Sequence, residues 1–159
     1  MSAPTQQQIS DALVTFVQTA APNAKVWDRI RIATNDALYA PYYVQSDGVG
    51  NVWFIYPTLI RDEVTSFDDE ISESRVYELV YARAIVDNDD SGLASFTLFK
   101  QQLEDVRVAF KADKYFGLAN RGTTHSGLQV VQPISPNGTL GAYAFHVAIC
   151  TLVITVAEC

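Results

Sequence analysis

Apolar residues recur at spacings of three and four over 93–111. Phe96, Phe99, Leu103, Val106 and Phe110 fall on one stripe, which predicts an amphipathic helix. Just before it, Val76, Leu79, Val80, Ile85 and Val86 predict a strand over 75–86. A helix with one apolar stripe next to an apolar strand must cover that strand or find a third layer. The rest of a sheet is therefore expected beside this strand and under this helix.

The same reading extends along the chain. Ile9, Leu13, Phe16, Val17 and Ala20 line one face of a helix over 6–20, with Thr5 and Gln8 as a capping box and Pro22 as its stop. A short extended piece containing Trp27 covers 24–28. Residues 35–39 suit one or two helical turns ended by Pro41. Residues 46–50 read as a turn. A strand follows over 51–60, and Pro57 makes it an edge or a bulge there. The segment 61–74 carries six acids and reads as a long solvated loop joining two hairpin strands, either a flexible tip or a docking or pore-lining arm. Beyond the central helix, 111–126 is a mixed connection, 128–134 a short strand and Pro136-Asn137-Gly138 a turn. A last strand over 142–157 would be roughly 50 Å long. Neither of its faces is polar enough for water, so it should be central or covered by another subunit. The order predicts one α+β domain over 1–159, a mainly antiparallel sheet with helices packed on one face.

Composition supports a folded core, with 48% apolar and 18% charged residues among 159. A net charge of -7 and a pI near 4.6 disfavour a general nucleic-acid binder. Cys150 and Cys159 are too few for a disulfide framework or a four-cysteine zinc site, and read as free thiols of a reducing compartment. Residues 1–4 lack the basic start and apolar run of a signal peptide. No segment reads as a membrane span.

Candidate chemistry is sparse. Asp87-Asn88-Asp89-Asp90-Ser91-Gly92 opens like a calcium loop, but position twelve is Leu98 instead of a bidentate acid. These acids suit the positive N-terminus of the following helix better. His125 lies in a Gly/Thr/Ser-rich turn and is expected to be exposed. His146 is expected to be a satisfied core histidine. Cys150 and His146 share a strand face but stand about 13 Å apart, too far to form a nucleophile–base pair. Glu78, Arg83, Glu104 and Arg107 are an acid–base set only if the fold gathers them. No nucleophile elbow, phosphate loop or dinucleotide fingerprint occurs. No enzyme activity, cofactor or metal site is expected.

One resemblance goes further. Trp53, Arg75-Val76-Tyr77, Asp89-Asp90-Ser91, Ser95, Phe99, Leu103-Glu104, Val106 and the closing strand over 145–156 follow the pattern of tail terminator and head–tail completion (neck) proteins of tailed bacteriophages. The pattern departs where that family's helix often begins Ser-Glu, since Phe96 follows Ser95. The resemblance implies a virion structural protein, made in the host bacterial cytoplasm and built into the tail or neck. It implies a homo-oligomer, a hexameric ring that caps the tail tube and meets the tube and neck connector proteins. Viral DNA would pass through its lumen without sequence-specific binding and without any membrane. Asp62, Glu63, Asp68, Asp69 and Glu70 would then lie on an arm facing the lumen or the neighbouring ring. Alternatives are another neck, stopper or tail-tube protein, or a small-ligand-binding α+β domain with Tyr39, Tyr42, Tyr43 and Trp53 lining a pocket.

Overall fold

The computed structural model describes residues 3–46, 48–65, 70–86, 93–118, 123–131, 135–140 and 143–157. The described elements are α1 (Gln6–Ala20), β1 (Lys25–Trp27), α2 (Asp36–Tyr43), β2 (Asn51–Thr65), β3 (Glu70–Ala84), α3 (Leu93–Ala112), β4 (Thr123–His125), β5 (Gln129–Val130), β6 (Ser135–Leu140) and β7 (Tyr143–Ala157). The described strands form one mixed sheet in the order β1-β2-β3-β7-β4. Only β1 runs parallel to its neighbour. β7 is central. β3 pairs with one of its edges, while β6, β5 and β4 take successive stretches of the other.

The sheet has two unequal faces. On the inner face, Trp53, Ile55, Tyr77, Leu79, Tyr81, Ala148, Cys150, Leu152 and Ile154 meet Ile9, Leu13 and Val17 of α1 and the predicted stripe of α3. Both long helices share this face, as the sequence predicts. On the outer face, the short α2 sets Tyr43 against Val52, Phe54, Val80, Ala82 and Phe145. Beyond α2 that face is only half-covered: Tyr56, Val76, Thr151 and Val153 are partly exposed.

Local chemistry explains the boundaries. Thr5 accepts the Gln8 backbone N–H at 3.2 Å, and the Thr5 N–H donates to the Gln8 side chain at 2.9 Å, so the predicted capping box forms. The β2–β3 register shifts between Pro57 and Leu59, the irregularity Pro57 demands. Three expectations change. Pro41 lies inside α2 and does not end it. The last turn is held from outside: Trp27 Nε1 donates to the Tyr42 carbonyl at 2.8 Å, and Ala33 N–H donates to the buried Tyr43 hydroxyl at 2.7 Å. The expected loop over 61–74 is largely strand, because Asp62 pairs with Glu73, Glu63 with Ser72 and Thr65 with Glu70. Pro136-Asn137-Gly138 is not a turn but a register shift within β6, where Ser135 opposes Val147 and Gly138 opposes Phe145.

Candidate interaction surface

The hairpin β2–β3 holds the sequence-predicted site. Asp62 and Glu63 lie in β2 and Glu70 begins β3, while Asp68 and Asp69 fall outside the described residues. β1 covers β2 only at Val52–Phe54, so from Ile55 onward the outer edge of β2 has no strand partner among the described residues. Leu59 and Ile60 sit on this open edge at 50% and 48% exposure. The opposite edge of the sheet also carries aliphatic residues, Val130 and Val131, at 40% and 59% exposure. Beside Val130, a cavity of about 820 Å³ opens between α3 and β5, lined by Lys100, Leu103, Glu104, Arg107, Leu128 and Val130.

The remaining candidates do not assemble into a catalytic site. Trp53 belongs to the inner face and Tyr43 to the outer, so the four aromatics of the ligand-binding alternative do not line one pocket. Trp53 instead stacks on Tyr81 at 4.5 Å between ring centroids, and Tyr81 on Phe99 at 4.9 Å. The tyrosines of α2 pack on one another and on Phe145. Glu78 receives a hydrogen bond from Tyr56 across the strands. Glu104 pairs with Arg107 on the exposed side of α3 at 2.9 Å. Glu78 and Arg83, five residues apart in β3, stand on opposite faces of the sheet. The acid–base set is therefore dispersed.

Both histidines are held by hydrogen bonds within the fold. His146 is buried as predicted, and its Nε2 lies 2.8 Å from Ser95 Oγ. This is the contact a serine nucleophile makes with its base. Ser95 and His146 are only 3% and 2% exposed, so in this conformation the pair ties α3 to β7 away from solvent. His125 departs from expectation: it is half-buried in β4. Gly127 N–H donates to its Nδ1 at 2.8 Å, so Nε2 carries the proton and donates to the Asp113 carbonyl at 2.8 Å. Phe110 and Phe116 flank the ring. Burial pushes the Cys150 thiol up to about 12, so it is protonated and unreactive at neutral pH. The calcium-like segment 87–92 and Cys159 fall outside the described residues.

Among the described residues, no group of three or more His, Cys, Asp or Glu side chains is placed to hold a metal ion. No helix among them is long and apolar enough to cross a membrane. No protein-family model and no curated protein matches the sequence.

The sequence did not signal two features of this surface. The acidic strand ends hide their structure because cross-strand pairing is a long-range contact that no local apolar pattern announces. The α3–β5 cavity arises where two distant segments meet, and no local pattern announces that.

Proposed function

We propose that this protein is a tail terminator of a tailed bacteriophage, a virion structural protein that assembles as a ring on the tail tube and joins it to the neck. The observation that carries the reading is the edge of β2, without a strand partner among the described residues from Ile55 onward, on a sheet whose other edge exposes Val130 and Val131. Such edges invite pairing with another chain. Subunits joined through two different edges propagate in one direction and close into a ring when the rotation permits. The element order supports the same reading: Trp53, Arg75-Val76-Tyr77, Phe99 and the closing strand of the resemblance fall on β2, β3, α3 and β7.

The acidic hairpin end fits a lumen through which DNA slides without sticking, since like charge repels the phosphate backbone. Light scattering behind size exclusion, followed by negative-stain imaging, tests the proposal. A discrete ring of about six subunits is the expected outcome. Open-ended tubes would replace it with a tube subunit. A monomer at every concentration, alone and with tail tubes, would remove it.

A further inference from the structure

We infer that Arg31, held in the corner between Trp27 and Tyr42, is an anchor that takes a carboxylate side chain of a partner protein. This corner involves neither the open stretch of β2 nor Val130 and Val131, so it can fail without touching the ring reading.

Trp27 ends β1, the outermost strand of the sheet, and Tyr42 stands in the last turn of α2. Their rings lie 6.3 Å apart at 76°, and the bond from Trp27 Nε1 to the Tyr42 carbonyl fixes the corner. The connection between the two elements brings Arg31 into it, with Cζ 4.3 Å from the centre of each ring. Two cation–π contacts therefore hold the guanidinium in place. They use none of its N–H donors, which stay available to an acceptor. Among the described residues, no hydrogen bond or ion pair reaches those donors. The two acids nearest in sequence are engaged elsewhere, Asp28 with Arg29 at 3.1 Å and Asp36 with the Tyr143 hydroxyl at 2.5 Å. A free arginine loses rotamer entropy when it binds, whereas packing has already removed much of it here.

A planar fork of donors matches a carboxylate or a phosphate. Charge selects between them. The chain carries -7, so a run of phosphates is repelled by the molecule as a whole. Residues 25–32 nevertheless hold three bases against one acid. A single carboxylate can reach this stretch without drawing further negative charge over the rest of the surface. The surroundings are those of a protein contact. Trp, Tyr and Arg are the residue types that most often dominate binding energy between proteins. Ile30 and Ile32 flank Arg31 at 50% and 42% exposure and offer apolar area for a partner to cover.

The experiment uses the full chain and a blocked, fluorescein-labelled peptide of alternating glutamate and leucine, read by fluorescence anisotropy. Arg31→Gln and Arg31→Lys are compared with Arg29→Gln, which removes an exposed arginine that already has an acid partner. Circular dichroism and thermal melts verify folding, and Arg31→Lys keeps the charge while losing the fork. The wild-type chain should bind saturably. Arg31→Gln should weaken binding by about tenfold or more and Arg31→Lys by about threefold or more, with Arg29→Gln within about twofold of wild type. Equal binding by wild type and Arg31→Lys would overturn the proposal, because a point charge would then suffice. Absence of saturable binding up to about 1 mM peptide would overturn it as well. Acetate and dimethyl phosphate, both monoanions, compete against the peptide. Displacement by dimethyl phosphate at clearly lower concentration than acetate would overturn the carboxylate class.

Discussion

At the scale of single residues, the tyrosines are the most perturbed groups on the outer face. Tyr143 donates to Asp36 Oδ1 at 2.5 Å, and that carboxylate pushes its phenol up to about 12. Burial and then Glu78 push Tyr56 up as well, and burial does the same at Tyr39 and Tyr43. Each phenol holds its proton more tightly in the folded chain than in the unfolded one, where tyrosine ionises near pH 10. Their contribution to stability is therefore fully present below about pH 10 and is lost as pH rises toward about 12. Urea midpoints should be flat with respect to these groups up to about pH 9.5 and then fall. The variants Tyr56→Phe and Tyr143→Phe should flatten that fall. A fall of the same steepness in both would show that other groups control the alkaline limit. Gly50 belongs to the same patch. A Cβ there would collide with the Tyr39 hydroxyl and lie 3.0 Å from the Phe145 ring, so a side chain at this position requires the Tyr39 ring to shift.

At the scale of elements, the chain is legible wherever one face is apolar and the period is clean. The bounds of α1 match the sequence reading, α3 ends one residue later than read, and β7 begins one residue later. Legibility fails where long-range contacts decide the local structure. Phe116 takes φ 38° and Gly117 φ 87° in a turn closed by Leu118 N–H donating to the Tyr115 carbonyl at 2.7 Å. A phenylalanine in the left-handed region is unfavourable by itself, and burial of its ring in the inner core offsets that cost. Pro41 inside α2 and the strand pairing of 61–65 have the same kind of cause. By contrast, the α3 stripe makes a local prediction that packing strengthens. Phe99 is fully buried and stacks on Tyr81, which stacks on Trp53. Phe99→Ala should cost about 3–5 kcal/mol in chemical denaturation. Phe96 lies toward the edge of the stack and is partly exposed, so Phe96→Ala should cost clearly less. Equal costs would mean that the two rings carry equal shares of the core.

At the scale of the whole molecule, the acids of the hairpin divide into two groups with different expected duties. Asp62 and Glu63 lie within β2, paired with β3, whereas Asp68 and Asp69 fall in the sequence between β2 and β3 and Glu70 opens β3. A subunit contact needs charge of one sign at a fixed register. A lumen needs only enough negative charge to keep phosphate away. Reversal of the second group, Asp68→Lys, Asp69→Lys and Glu70→Lys, should therefore leave ring assembly intact while changing what the ring does with DNA. In fluorescence anisotropy near 0.15 M salt, wild-type rings should leave labelled duplex DNA free. The reversed rings should retain it, with affinity that drops steeply as salt rises. In tail-joining assays the reversed rings should assemble normally yet slow or block DNA passage. If the triple reversal instead prevents assembly, these acids belong to a subunit contact and the lumen assignment fails. If reversed rings form and still leave DNA free, the hairpin end points away from the DNA path, toward the neighbouring ring.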